Sequence, residues 1–121
     1  MKKKILIIDD NEQDRKIMKR FLSKAGYEDI VIAETGEEGV KMAESEKPEL
    51  AIIDTLLPGI DGFEVCRQIR KTHGSNTPKI IMITGSVDAV DAVEARKAGT
   101  DDYCVKTSDY APLIEATKKL I

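Results

Sequence analysis

The stretch LIIDDNEQD, residues 6–14, joins a run of apolar residues to two adjacent carboxylates, Asp9 and Asp10. Consecutive apolar and β-branched residues at positions 4–8 predict a strand that is buried on both faces. Two neighbouring anions at the end of such a strand repel each other and resist removal from water. Their presence there indicates that they bind something, and the rest of the chain indicates what.

A short apolar strand followed by an amphipathic helix is a pattern that occurs five times along the chain. The predicted strands cover residues 4–8, 30–33, 50–53, 79–83 and 103–105. The predicted helices follow them, around residues 17–25, 37–46, 63–73, 90–98 and 109–120. Such an alternation predicts an α/β fold, a parallel sheet covered by helices on both faces.

For five strands and five helices, the leading topology is a flavodoxin-like, doubly wound sheet with strand order 2-1-3-4-5. Its ligand crevice lies at the carboxyl ends of the strands, at the switch between strands 1 and 3. Asp9 and Asp10 end the first strand and Asp54 ends the third. Three carboxylates from distant parts of the chain are therefore expected to converge. The length predicts one domain over residues 1–121.

Composition and charge argue against several classes of protein. A net charge of −3 offers no broad basic face, so direct nucleic-acid binding is not expected. No apolar run approaches the roughly 18 residues of a membrane span. The apolar stretch that follows three lysines ends at Asp9, too early for a signal peptide. Cys66 and Cys104 lack metal-like spacing, so we expect them to be small buried or half-buried residues. Nothing indicates an oxidising compartment, and we expect a cytoplasmic protein without membrane contact.

A cluster of three carboxylates needs protons, a cation or a positive side chain. Two carboxylates about 4 Å apart repel by roughly 4 kcal/mol at an effective dielectric constant near 20. Oxygen ligands suit Mg²⁺, which commonly takes one or two carboxylates, waters and a phosphate oxygen. Thr84 ends the fourth strand and Lys106 the fifth. Acids, a metal, a hydroxyl and one lysine at one edge indicate a phosphoryl-handling site. A nucleotide is not the obvious ligand, because the chain lacks a Gly-rich phosphate loop.

Each of these residues alone also has a plainer interpretation. The aspartate pair could cap the following helix, and Asp54 could cap the turn before Pro58-Gly59. Thr84 is a common strand-ending residue, and a single lysine is usually a solvated surface charge. The joint placement at four strand ends favours the functional interpretation.

With these residues together, the chain resembles the response-regulator receiver domain of two-component signalling, of the small chemotaxis-regulator type. The resemblance covers essentially the whole chain. It is carried by the motifs LIIDDN with Asp9 and Asp10, AIIDTLLPGIDG with Asp54, IMITG with Thr84, and DDYCVKT with Tyr103 and Lys106.

The resemblance implies a phosphoacceptor switch. Asp54 would accept a phosphoryl group from a histidine kinase or a phosphotransfer protein. The metal ligands would be Asp9, Asp10, Asp54 and the backbone carbonyl of Leu56, which would hold Mg²⁺, with Mn²⁺ as a substitute. The domain would catalyse its own phosphorylation and its dephosphorylation rather than act as a conventional multiple-turnover enzyme.

The resemblance also implies how the signal is transmitted. Lys106 would supply a positive charge to the phosphorylated aspartate, and Thr84 would hydrogen-bond the phosphoryl oxygen. Movement of Thr84 would let Tyr103 change rotamer and reshape the surface formed by helix 4, strand 5 and helix 5. A downstream protein or a fused output domain would bind that surface.

The chain departs from the family pattern at three places. Thr107 follows the lysine, where the family usually has proline joined through a cis peptide bond. Because a non-proline cis bond costs about 3 kcal/mol, the Lys106–Thr107 bond is either trans with a shifted loop or cis under strain. Gly85 stands where alanine is frequent. Leu56 and Ser86 occupy the variable positions beside the phosphoryl group, and an apolar Leu56, which cannot orient water, predicts slow self-dephosphorylation.

Other functions of the same fold stay open. Thr107 allows a pseudo-receiver, a protein-binding module that is not phosphorylated. An aspartyl-phosphate phosphatase would need a second acid where Leu56 stands, and a flavin-binding protein would need a stacking aromatic residue at the crevice. Among the remaining residues, Tyr27 and Phe63 are expected to pack. For Tyr110, near the start of helix 5, three roles are open: lying at the partner surface, being otherwise exposed, or packing.

Overall fold

The computed structural model describes residues 3–74, 77–85 and 89–121. Within them five strands alternate with five helices. The strands are β1 (Lys4–Ile8), β2 (Asp29–Ala33), β3 (Leu50–Asp54), β4 (Lys79–Thr84) and β5 (Asp102–Val105). The helices are α1 (Glu12–Lys24), α2 (Gly36–Glu46), α3 (Gly62–His73), α4 (Ala89–Ala98) and α5 (Ala111–Leu120). None of the helices in the described residues is long and apolar enough to cross a membrane.

The strands form one parallel sheet in the order β2-β1-β3-β4-β5, which confirms the predicted doubly wound topology. In the register of the sheet, Ile8 at the end of β1 lies beside Ile53 of β3. Asp54 lies beside Ile83 of β4, and Thr84 beside Val105 of β5. The carboxyl ends of four strands therefore meet at one edge, as the candidate site requires.

Side chains that alternate along β1 divide the core between the two faces of the sheet. Leu6 and Ile8 pack with residues of α2, α3 and α4, whereas Ile5 and Ile7 pack with residues of α1 and α5. All four are fully buried, as expected for a strand covered on both faces. Phe63 and Tyr27 pack against the first and second of these clusters, which confirms their predicted packing role.

Polar side chains cap the first three helices. Asn11, Thr35 and Asp61 each accept a hydrogen bond from the backbone N–H three residues further on, at 2.9, 3.1 and 2.9 Å. Since Asn11 caps α1, the plainer interpretation of the Asp9-Asp10 pair as that helix's N-cap is wrong. The pair is left available for the site.

Helix α5 begins later than the sequence predicts. The predicted start was Asp109, but the helix begins at Ala111. The Asp109 carboxylate instead accepts hydrogen bonds from the Thr107 hydroxyl and from the Ala111 N–H, both at 3.0 Å. Tyr110 adopts a left-handed conformation with φ of 52° and is buried in the core, so it is a packing residue.

Both cysteines are buried and free, as predicted. Burial raises the pKa of the Cys66 and Cys104 thiols to about 11. The Cys66 thiol also donates a hydrogen bond to the Ala98 carbonyl at 3.2 Å. The thiols therefore behave as structural residues of the core.

Candidate phosphoryl and metal site

Three carboxylates meet where β1 and β3 end. Asp9, Asp10 and Asp54 each place a carboxylate oxygen within 4.8 Å of the others. This convergence is what the strand order predicted from the sequence. The oxygens are close enough to share one small cation, and they repel one another in its absence.

Asp9 and Asp10 differ in their surroundings although they are adjacent in sequence. Asp9 is fully buried, whereas Asp10 is exposed. Burial raises the pKa of Asp9 to about 6; a hydrogen bond from the Asn11 N–H at 2.8 Å opposes that shift, and the charge of Asp54 adds to it. Asp9 therefore carries its negative charge at a cost, which a cation would offset.

Asp54 is 7 % exposed and is held at both carboxylate oxygens. Its Oδ1 accepts a hydrogen bond from the Leu56 N–H at 3.0 Å, and its Oδ2 accepts one from Lys106 at 3.0 Å. The first residue of α3, Gly62, packs against the Asp54 main chain so closely that a Cβ on it would collide with the Asp54 carbonyl. Asp54 is thus fixed at the mouth of the crevice.

Lys106 brings a positive charge into the cluster. Its Nζ lies 3.0 Å from Asp9 Oδ2, 3.0 Å from Asp54 Oδ2 and 2.7 Å from Asp14 Oδ2. Burial alone would lower the pKa of this ammonium, but the hydrogen bond with Asp14 and the charge of Asp54 outweigh that effect and raise it well above its usual value. Lys106 therefore stays charged at any physiological pH.

The sequence did not predict Asp14 at the site. It is the third residue of α1 and lies in the polar first turn of that helix, where acidic residues favour the helix N-terminus. Because acidic residues are common at helix N-termini for this reason, Asp14 did not stand out in the sequence as a site residue. The spacing of five residues after Asp9 does place Asp14 about one helical turn along α1, but nothing in the sequence reveals that Lys106 reaches it.

The Lys106–Thr107 peptide bond is trans; within the described residues the cis bond is Thr77–Pro78. The sequence left either a trans or a strained cis bond possible at this position, and the structure has the trans bond. The Lys106 N–H donates to the Thr84 carbonyl at 2.7 Å, and the loop closes through Tyr110 N–H to the Thr107 carbonyl at 3.2 Å. Lys106 thus reaches the cluster without a following proline.

The remaining site residues lie around this centre. Thr84 is 4 % exposed at the end of β4. Tyr103 is half-buried in β5 and packs against the core on the α2–α4 face. The side chain of Leu56 is exposed (79 %), and a Cβ added to Gly85 would meet nothing within 4 Å. Ser86 and the side chain of Val90 lie outside the described residues.

The donor set fits a hard divalent cation. Its oxygens come from three carboxylates, one of which is exposed and can be reached from solvent. Mg²⁺ prefers such oxygen ligands and retains part of its water shell. The residues present at this edge can therefore hold Mg²⁺, and Lys106 lies beside them on the side of β5.

The family profile of the response regulator receiver domain matches residues 5–118 of the chain. The chain is a response-regulator receiver domain. The receiver chain is 41 % identical over 106 residues to the alkaline phosphatase synthesis transcriptional regulatory protein PhoP of Bacillus subtilis, and the match covers 88 % of this chain and 43 % of PhoP. The chain thus spans less than half the length of the curated relatives it matches.

Solved structures of receivers agree with the fold. A CheY-like receiver domain protein of Methanospirillum hungatei has a TM-score of 0.87 and 34 % identity, covering 98 % of this chain and 93 % of its own. The response regulator TrrA of Thermotoga maritima, solved in complex with Mg²⁺ and BeF, has a TM-score of 0.88 and 37 % identity, covering 98 % and 99 %. Receiver domains bind Mg²⁺ generally, which agrees with the acidic cluster of this one.

Proposed function

We propose that this receiver domain is a phosphoacceptor switch in which the carboxylate of Asp54 is the nucleophile. One observation carries the proposal. Asp54 lies at the carboxyl end of β3; carboxylate oxygens of Asp9 and Asp10, which follow β1, lie within 4.8 Å of one of its own, and the Lys106 ammonium lies at 3.0 Å. A buried carboxylate beside a cation site and a fixed lysine suits phosphoryl transfer, which depends on positioning and on neutralising charge.

In the proposed reaction, one Asp54 oxygen attacks the phosphorus of a phosphohistidine on a histidine kinase or a phosphotransfer protein. The bond from phosphorus to the imidazole nitrogen breaks, the electron pair stays on the imidazole, and an aspartyl phosphate forms. Lys106 neutralises part of the charge on the phosphoryl oxygens. When bound, Mg²⁺ would neutralise the remainder, held by Asp9, Asp10, Asp54 and the Leu56 carbonyl; Mn²⁺ has the same ligand preference.

The geometry around Lys106 supports a competent receiver over a pseudo-receiver. Thr107 was the feature that favoured an unphosphorylated binding module. Yet Lys106 contacts both Asp9 and Asp54 through a trans peptide bond. The replaced proline is therefore no obstacle to the position of the ammonium.

The switch itself is part of the proposal. Thr84 is buried at the end of β4, and its carbonyl accepts a hydrogen bond from the Lys106 N–H. A phosphoryl group on Asp54 would draw the Thr84 hydroxyl toward it, and Tyr103 would then change rotamer. The surface of α4, β5 and α5 would change with it, for a downstream protein or a fused output domain.

The relatives that match this chain are transcriptional regulators more than twice as long as the matched part. A histidine kinase as donor and an output domain or separate target as recipient therefore fit the family. The two free buried thiols agree with a reducing compartment, so a cytoplasmic location belongs to the same proposal.

The test is the intact mass of the protein after incubation with acetyl phosphate, with and without Mg²⁺. We expect one phosphoryl adduct that requires Mg²⁺ and is absent in Asp54→Asn. The matched control is Asp61→Asn, which removes the same charge from a helix cap outside the cluster; it is expected to be labelled like the wild type. A folded wild type that gains no adduct from acetyl phosphate or from histidine kinases would favour the pseudo-receiver.

A further inference from the structure

Asp14 adds a fourth carboxylate to the site, contributed by helix α1. We propose that Asp14 is a positioning residue that holds the Lys106 ammonium in the unphosphorylated protein and yields it to a phosphoryl group on Asp54. This role rests on the proposed function of Asp54. In this role Asp14 competes with the phosphoryl group for Lys106. The strength of the Asp14–Lys106 contact therefore influences how readily the phosphorylated state forms.

The ammonium of Lys106 has all of its donors engaged. A lysine carries three N–H donors, and Nζ lies within hydrogen-bond distance of three carboxylate oxygens, on Asp9, Asp14 and Asp54. Asp14 provides the shortest of these contacts, at 2.7 Å against 3.0 Å for the other two. A phosphoryl oxygen that bonds Lys106 must therefore displace one of them.

Exposure decides which contact is released. The side chains of Asp9 and Asp54 are 1 % and 10 % exposed, whereas that of Asp14 is 31 % exposed. Asp54 gives up its carboxylate charge when it becomes an aspartyl phosphate, so the comparison is between the two carboxylates that keep their charge, Asp9 and Asp14. Buried Asp9, parted from its cation, would keep a charge that water cannot reach, and this is costly. Half-exposed Asp14 is hydrated once it is released. Of these two partners, Asp14 is therefore the one that Lys106 loses at the lower cost.

The start of helix α1 holds Asp14 in place through backbone and cap hydrogen bonds. Its N–H donates to the cap residue Asn11 at 2.9 Å. The same helix start is tied to β1, because the Asn11 N–H bonds the Asp9 carboxylate at 2.8 Å and the Arg15 guanidinium bonds the Asp9 carbonyl at 2.9 Å. The Asp14 carboxylate is thus held in front of Lys106 before any phosphoryl group arrives.

The first experiment measures the affinity for beryllofluoride, a phosphoryl mimic, in the presence of Mg²⁺. We expect Asp14→Asn to bind it about two- to five-fold more tightly than the wild type, the range expected for loss of a half-exposed ion pair. The control is Glu12→Gln, which removes one charge from the same helical turn but pairs with Lys16 at 3.1 Å instead of Lys106; its affinity should stay that of the wild type.

Measuring Asp14→Asn in a Lys106→Met background separates a general effect of charge from the specific effect of the Asp14–Lys106 contact. Without the ammonium, Asp14→Asn should no longer change the affinity. An unchanged or weaker affinity of Asp14→Asn in the wild-type background, or an equal gain in Glu12→Gln, would overturn the role of Asp14. A tighter affinity of Asp14→Asn that persists in the Lys106→Met background would overturn that role as well.

A second measurement does not depend on phosphoryl binding. Asp14→Asn and Lys106→Met, singly and together, are unfolded by denaturant without metal; Lys106→Gln replaces Lys106→Met if that variant does not fold. We expect a smaller shift of the midpoint in the double variant than the two single shifts combined. Additive shifts, in a protein that binds beryllofluoride, would overturn the Asp14 role alone. Absence of beryllofluoride binding in the wild type would overturn the proposed function and the release step with it.

Discussion

Lys106 and Asp54 are in direct contact, Nζ to Oδ2 at 3.0 Å, although β4 lies between the strands that carry them. The side chain of Lys106 crosses the end of β4, where its own N–H is bonded to the Thr84 carbonyl. This one contact joins the ends of β3 and β5 and passes Thr84. A change in the charge of Asp54 therefore acts directly on Lys106, at the carboxyl end of β5.

The metal ligands are expected to differ in their effect on stability. Asp10 is exposed and adds negative charge to the cluster without a buried role. Asp10→Asn should therefore leave the melting temperature of the metal-free protein equal or slightly raised, and should abolish most of the rise that Mg²⁺ gives the wild type. Thermal unfolding over a Mg²⁺ titration measures both. A full Mg²⁺-dependent rise in Asp10→Asn would exclude Asp10 as a ligand.

Gly62 is expected to tolerate no side chain. A Cβ there would collide with the Asp54 carbonyl, so Gly62→Ala must displace α3 or the end of β3. We expect a loss of about 2 kcal/mol in the free energy of unfolding, as for an overpacked core. Gly85→Ala is the control, since an added Cβ meets nothing within 4 Å and Gly85 has no positive φ. Equal unfolding midpoints for the two variants would contradict the close packing.

The two thiols are expected to resist alkylation in the folded protein. With pKa values raised to about 11 by burial, about one thiol in a thousand is ionised at pH 8. Iodoacetamide should therefore modify Cys66 and Cys104 slowly until denaturant is added, as followed by intact mass. Rapid labelling of the native protein at pH 8 would show that the core around them opens readily.

The same thiols give a pH dependence with a defined sign. Their pKa is raised from 9.0 in the unfolded chain to about 11 in the folded one. The unfolded state thus releases protons first, and the thiol contribution to stability, complete below about pH 9, is lost as the pH rises toward 11. Denaturant midpoints across this range should fall less steeply in a Cys66→Ala, Cys104→Ala variant; an identical slope would refute the shift.

Leu56 is expected to prolong the phosphorylated state. Its side chain is 79 % exposed two residues after Asp54, and it cannot hydrogen-bond an attacking water. Leu56→Asn supplies a polar group there and should hasten loss of the phosphoryl group by about three- to ten-fold, equivalent to roughly 0.7–1.4 kcal/mol in the barrier. Phosphate release after removal of the donor measures the rate. An unchanged lifetime would mean that this position does not control hydrolysis.

The sequence predicted the strands, their order and the convergence of Asp9, Asp10 and Asp54, because buried parallel strands are continuous apolar runs and the four that form the site, β1, β3, β4 and β5, end in, or are followed directly by, a polar or charged residue. The sequence could not predict which of the two adjacent aspartates, Asp9 or Asp10, is buried. Both follow β1, but the Asp9 N–H still donates to the Ala33 carbonyl of β2 at 3.1 Å and Asp9 is buried, whereas Asp10 is exposed; the polarity of the two residues is the same.

The residues that the sequence placed less well lie in the loop after β5 and on α1. Asp109 forms hydrogen bonds with Thr107 and Ala111 that delay the start of α5, and Tyr110 takes a left-handed conformation that local preference does not predict. The contact of Asp14 with Lys106 joins residues 92 positions apart. Such details depend on tertiary packing, which overrides local propensity.

The most direct test of the central claim is the location of the phosphoryl group. The protein is incubated with acetyl phosphate and Mg²⁺, reduced with borohydride to convert an aspartyl phosphate to homoserine, and digested for peptide mass spectrometry. We expect homoserine at position 54 and unmodified Asp9, Asp10 and Asp14. Homoserine at another aspartate, with Asp54 unmodified, would contradict the assignment of Asp54 as the phosphoacceptor.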